Sequence, residues 1–308
     1  MSLLRTAKSR STNMYWALLL PIIALLASPT VASAIEINED FKPQNEFKLD
    51  PWVSIHIGPV DMSLNKGVML VVMAGVLSVV TLTMVANRMK IRDAGRLQTV
   101  VEMGYNLTYE NITRGNVEDA KIAKRWFPFF ATLFFFIWFS NMLGFIPMPT
   151  NTEHTVNIFG IDMPTFALYA STANISVPLA LALVVWLSYH YEGIRAKGFF
   201  GYVKSWIPNG VSGPVMLIVV PVEILSQFVR LISLSARLFA NMLAGHMLIL
   251  IMGGGMVVLL GMVGVSIVTI PIGVMFFIFE VGLISSLQAF IFATLSAMYM
   301  GGAVAHDH

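Results

Sequence analysis

The sequence predicts an all-α integral membrane protein, with about five to six membrane helices after a signal peptide and the last two forming a long inclined hairpin. Three observations predict it. Hydrophobic residues make up 56% of the 308 residues and charged ones only 12%, with a mean hydropathy of +0.75, whereas a soluble domain carries about a quarter charged residues. Uncharged runs recur at the length that crosses a bilayer, because a helix rising ~1.5 Å per residue needs about 20 residues to span ~30 Å of hydrocarbon. In the last third of the chain a few ionisable residues stand inside sequence that is otherwise apolar.

Residues 1–34 read as a signal peptide. Arg5, Lys8 and Arg10 precede an apolar stretch over 15–26, and Ala32-Ser33-Ala34 supplies the small residues of a cleavage site. Residues 35–66 form an N-terminal segment outside the membrane, acidic at Glu36, Glu39 and Asp40. The membrane domain then occupies 67–308. Its first span is the uncharged run 67–87, its second is the phenylalanine-rich run 126–147 behind Arg125, and its third is 163–189, interrupted at Pro178.

The fourth and fifth spans are longer. A helix over 215–252 would be roughly 60 Å long, about twice the hydrocarbon thickness, so it must incline or bend. Gly253-Gly254-Gly255 offers the turn, and 256–300 offers the returning helix with Pro271 as its kink. The lysines and arginines set the orientation. Arg88, Lys90, Arg92, Arg96, Arg114, Lys121, Lys124 and Arg125 place the loop between spans one and two in the cytoplasm. The loop 149–162 has Glu153 and Asp162 and no lysine or arginine, as expected outside, and Arg195, Lys197 and Lys204 bring the chain back. The mature N-terminus lies outside and the C-terminus in the cytoplasm.

Composition also excludes function classes. A net charge of +2 with no basic run interleaved with aromatics gives no basis for a nucleic-acid partner. The absence of cysteine removes disulfides, thiolate metal sites and cysteine nucleophiles. There is no His-Glu-x-x-His motif, no Gly-x-Ser-x-Gly elbow, no phosphate-cradling loop and no repeat relating two transporter halves. An intramembrane enzyme or secondary transporter therefore has little support, and no cofactor is called for.

The chemistry is concentrated in the hairpin. A charge at mid-membrane costs at least ~2.5 to 3.5 kcal/mol on insertion scales, so Glu223, Arg230, Arg237, His246 and Glu280 require a functional account. Glu223, Arg230 and Arg237 are spaced by seven, which returns each to within roughly 20° of one helix face. Asn241 stays near that stripe, and His246, nine residues beyond Arg237, points to the opposite face. Arginine keeps its charge and cannot relay a proton by losing one, so it suits a fixed electrostatic barrier. His246 and Glu280 exchange protons and suit a path. Gln288 adds a neutral hydrogen-bonding group eight residues after Glu280. Arg230 at a helix end also fits a snorkelling residue, and Gln288, Asn241 and Asn174 also fit interhelical hydrogen-bond glue.

The stretch Leu234-Ser235-Ala236-Arg237-Leu238-Phe239-Ala240-Asn241-Met242-Leu243-Ala244-Gly245-His246 resembles the signature of the subunit a family of F-type ATP synthases. Leu287-Gln288-Ala289-Phe290-Ile291-Phe292 resembles that family's second motif, and the order of spans is similar from about Trp52 onward. The resemblance implies a noncatalytic proton-translocating stator in the bacterial inner membrane. Its partners would be the c-ring, the subunit b peripheral stalk, the rest of the F1F0 ATP synthase and lipid. It implies that Arg237 faces a ring of small subunits, each with one membrane carboxyl group, and separates two offset half-channels. Asn241, His246 and Gln288 match polar half-channel positions, and Glu223 and Arg230 match positions nearer the cytoplasmic exit.

Three departures from the family pattern carry expectations. Ala240 stands where glycine is usual and should be tolerated, and Asn174 stands where aspartate is usual, which removes a titratable group from one half-channel. The interval from Glu280 to Gln288 is one residue longer than in relatives, which on an ideal helix would rotate Glu280 by about 100°.

Overall fold

The computed structural model describes residues 47–49, 51–57, 60–61, 63–88, 95–149, 155–158, 161–164, 166–206, 215–252 and 266–305. Residues 1–34, expected from the sequence to be a signal peptide, and the expected glycine turn at 253–255 lie outside the described residues. Five helices among those described are long and apolar enough to cross a membrane. The helices in chain order are α1 (Lys66–Arg88), α2 (Arg96–Asn106), α3 (Ala120–Gly144), α4 (Ser176–Lys197), α5 (Phe199–Lys204), α6 (Met216–Leu250), α7 (Ser266–Phe279) and α8 (Ser285–Val304). Two π-helical segments join them, Leu107–Arg114 after α2 and Glu280–Ile284 before α8.

The first span matches its expected limits to within a residue at each end. The second begins earlier than read, because Asp119 caps α3 by accepting from the Lys121 and Ile122 amides at 2.7 and 3.3 Å. The third is corrected. Residues before 176 are extended or 3₁₀, and α4 starts at Ser176 with Pro178 in its first turn, where a missing N–H costs no helical bond. Two antiparallel pairings occupy the loop between α3 and α4: β3 (Met148–Pro149) with β6 (Phe166–Ala167), and β4 (Thr155–Ile158) with β5 (Ile161–Pro164). A further short pair, β1 (His56–Ile57) with β2 (Val60–Asp61), precedes α1.

The chain divides into two compact units. One includes residues 247–252 at the end of α6 and the whole of α7, where Pro271 lies within the helix. The other comprises Glu46–His246 and Glu280–His308. In this larger unit α3 packs against α1 and α8, and α8 also packs against α4. Small residues permit the contact at one end of α8: a Cβ on Gly301 would overlap the Asn116 carbonyl. Phe130, Phe134 and Phe135 of the phenylalanine run are core. Apolar side chains also face outward in rows, including Val68, Val72, Val76 and Val79 of α1 and Leu179, Leu183 and Leu187 of α4. Such surface is stable only against hydrocarbon or another protein.

Candidate functional site

Helix α6 organises the site because its two faces differ. Leu234, Ser235, Leu238, Met242, Gly245 and His246 are buried, whereas Ser233, Arg237, Ala240, Asn241 and Ala244 are exposed. Arg237 and Asn241 thus share the outward face, as their spacing of four requires, and His246 lies inward, as its spacing of nine requires. Arg237 makes no hydrogen bond or ion pair among the described residues. The residues flanking it on the outward face are small, which leaves room for a second helix to approach closely.

The inward face meets one polar cluster near its C-terminal end. The His246 ring is fully buried, stacked on Phe145 with centroids 4.6 Å apart. Its Nδ1 lies 2.9 Å from the Met242 carbonyl and its Nε2 lies 3.0 Å from the Gly144 carbonyl. A neutral imidazole can donate to one of these acceptors only, so a second proton on the ring finds an acceptor already in place. Beside it, the Glu280 carboxylate fills the space over Gly245, and its Oε2 is buried without a protein partner.

Glu280 does not stand on a regular α-helix. The segment Glu280–Ile284 is π-helical, and an i→i+5 turn holds one more residue than an i→i+4 turn. The Ser285 hydroxyl bonds back to the Glu280 carbonyl across this turn at 3.0 Å. The Glu280 carboxylate packs on Gly245, the residue before His246, and Gln288 is buried on α8.

The same region contains polar groups that the sequence reading missed. Asn141 of α3 donates to the Ser285 carbonyl at 3.3 Å and accepts from the Thr172 hydroxyl at 2.8 Å, all of it buried. The hydroxyls of Ser140 and Ser171 are buried without a protein partner. Burial pushes the Tyr169 phenol up to about 12, with the Asn174 side chain acting in the opposite direction. Asn174 itself caps α4, its Oδ1 accepting from the Ser176 amide at 3.0 Å. Ser140-Asn141 inside an apolar span was the available signal for this cluster.

A second polar cluster meets the N-terminal half of α6. Arg230 and Glu223 pair at 3.6 Å, and the Arg230 guanidinium lies 5.5 Å from the Tyr299 ring centroid. Gln227, buried between them in sequence, donates to Glu223 at 3.2 Å and accepts from the Tyr189 hydroxyl at 3.1 Å. These side chains line a cavity of about 290 Å³ together with Tyr202, Ser205 and Trp206. Glu223 and Arg230 are thus brought together, and Arg237 stays apart from both on the outward face. The heptad stripe thus carries a pair that reaches the cavity and, seven residues on, a single exposed charge.

An ion pair with a buried carboxylate also escaped the sequence reading. Glu192 of α4 pairs with Arg125 of α3 and accepts from Trp126 Nε1 at 3.0 Å. Among the described residues no group of three or more histidine, cysteine or acidic side chains is placed to hold a metal.

A family model described as ATP synthase A chain matches residues 67–301. The chain belongs to that family. Among curated relatives, ATP synthase subunit a of Hyphomonas neptunium is 32% identical over 86% of this chain and 96% of its own length. That of Myxococcus xanthus is 33% identical over 82% and 76%, and that of Paramagnetospirillum magneticum is 31% identical over 86% and 99%. As a member of the ATP synthase A chain family, the chain is a noncatalytic proton-channel subunit, the stator of the F0 sector, and a multi-pass protein of a bacterial membrane.

Proposed function

We propose that this stator subunit carries protons through two offset half-channels and that Arg237 keeps them separate while facing a rotating c-ring. The observation that carries the reading is the position of Arg237. It lies on the exposed face of α6, roughly 10 Å along the helix from Arg230 and roughly 14 Å from His246 by helical rise. The two polar clusters contact the inward face of the same helix at those two ends. A proton moving between them must therefore leave the subunit and pass the arginine. Because Arg237 stays charged, it attracts a deprotonated ring carboxylate and blocks direct proton transfer along α6.

In this reading Asn141, Thr172, His246, Glu280 and Gln288 line the outer half-channel, and Glu223, Gln227, Arg230 and Tyr299 line the inner one. Asn241 shares the ring-facing surface with Arg237. Asn174 acts by capping α4 at the mouth of the outer path. The basic residues Lys121, Lys124, Arg125, Arg195, Lys197 and Lys204 mark the cytoplasmic end, with the mature N-terminus outside after removal of 1–34 and the C-terminus inside. The subunit b stalk holds the chain against the torque. Each proton crossing ~100 mV releases about 2.3 kcal/mol, and several per nucleotide sum to the cost of ATP synthesis.

The test is ATP-driven proton pumping by vesicles containing the complex with Arg237→Ala, alongside the native chain and a matched assembly measurement. Loss of pumping with the complex assembled is the expected result. Pumping at the native rate would remove Arg237 from its assigned role.

A further inference from the structure

The inner cavity adjoins a titratable group that none of the roles above uses. His190 of α4 is enclosed by aromatic rings: Trp186 at 4.1 Å and Tyr189 at 4.4 Å between centroids, with Tyr202 at 5.7 Å and Trp206 at 5.9 Å edge-on. Three of these four, Tyr189, Tyr202 and Trp206, are walls of the 290 Å³ cavity. The His190 Nδ1 lies 2.8 Å from the Trp186 carbonyl, an acceptor only, which fixes the proton of the neutral ring on Nδ1. Nε2 then presents a lone pair, and it is buried with no protein hydrogen-bond partner. Trp206 Nε1, on a neighbouring ring, is likewise a buried donor without a protein acceptor. A buried acceptor and a buried donor beside one polar cavity are satisfied together by solvent within it, since buried polar groups without a protein partner are normally hydrated.

We infer that His190 is a proton-holding station of the inner half-channel, taking a proton on Nε2 from cavity water and returning it from the same nitrogen. The inference rests on the half-channel reading above and assigns it a further residue. Return from the same atom follows because the Nδ1 proton is committed to the Trp186 carbonyl; the ring gains one proton and one positive charge and then loses both. The groups facing this position from the packed elements are Tyr202 of α5, Glu223 and Arg230 of α6 and Tyr299 of α8, with Glu223 and Arg230 already paired. His190 thus supplies the cavity with an exchangeable imidazole held clear of other side-chain hydrogen bonds.

Passive proton flux through the F0 sector, measured in vesicles stripped of F1 and driven by a potassium diffusion potential, tests it. His190→Gln keeps a hydrogen-bonding side chain that does not titrate near neutrality, and His190→Gly leaves room for free imidazole. Both variants are expected to assemble and to conduct about a hundredfold more slowly, with added imidazole restoring flux in His190→Gly and not in His190→Gln. Native flux in assembled His190→Gln, or a slow His190→Gly that imidazole does not restore, overturns the inference. If Arg237→Ala stops pumping while His190→Gln conducts normally, only the His190 inference fails; if Arg237→Ala pumps normally, the half-channel reading fails first.

Discussion

The Glu280 carboxylate occupies the position that a side chain on Gly245 would need: a Cβ built there would lie 2.5 Å from the carboxyl carbon. Gly245 is therefore required by its neighbour and not by its own backbone, which is ordinary α-helix. The contact joins the Arg237 motif of α6 to the π-helical segment that precedes α8.

Gly245→Ala is expected to displace the carboxylate and slow ATP-driven pumping by about a hundredfold, the low end of what one positioned proton-transfer group contributes. Assembly should be retained, because the obstructing atoms belong to a movable side chain. Pumping assays on matched amounts of complex check this, and an unchanged rate would place the working carboxylate elsewhere.

Deleting Gly282 should be tolerated. Gly282 is exposed, lies in the π-helical turn and has open space around its α-carbon. Removing one residue converts an i→i+5 turn to an i→i+4 turn and leaves Glu280 and Gln288 on their present faces. Deleting Thr294 from the regular part of α8 should instead rotate the following residues by about 100° and prevent assembly. Native electrophoresis of the two deletions distinguishes these outcomes.

Arg125→Ala leaves Glu192 with only the Trp126 indole. Because Arg125 is 42% exposed and Glu192 only 3%, water replaces part of the lost partner, and the expected cost is about 1–3 kcal/mol rather than that of a fully buried pair. Thermal inactivation of the solubilised complex should occur earlier in Arg125→Ala, and Arg125→Leu with Glu192→Leu should recover most of the loss.

Tyr169 makes the chain sensitive to alkali. Its folded pKa of about 12 exceeds the ordinary 10, so between those values the unfolded chain has lost a proton that the folded one retains. Fewer protons on the unfolded state mean stability falls as pH rises through that window. Tyr169→Phe should resist alkaline unfolding above pH 10 better than the native chain, measured by loss of helical circular dichroism.

Much of the molecule was legible in the residues. Uncharged runs located the first span to within a residue at each end and the second to within six, the long apolar segment 215–252 located α6, and the nine-residue spacing set Arg237 and His246 on opposite faces, because a single helix has a fixed angular step. The third span was misplaced since an apolar run does not reveal that strand and 3₁₀ segments precede its helix; Pro178 was the better marker of where α4 begins. The inner polar cluster was half visible, as Glu223 and Arg230 stand out by charge, while Gln227, Tyr189 and Tyr299 are ordinary residues until α4, α6 and α8 bring them to one cavity.

The sequence by itself determined that the chain is a membrane protein, which helix carries the fixed charge, and which family motifs surround it, because hydropathy and helical period act locally along the chain. Tertiary structure alone decided that Glu280 meets Gly245 across a π-helical turn, that Asn141 reaches Ser285, and that Glu192 has Arg125 as its partner. Those pairings depend on how helices far apart in sequence are set against one another, a quantity fixed by packing and absent from any single segment.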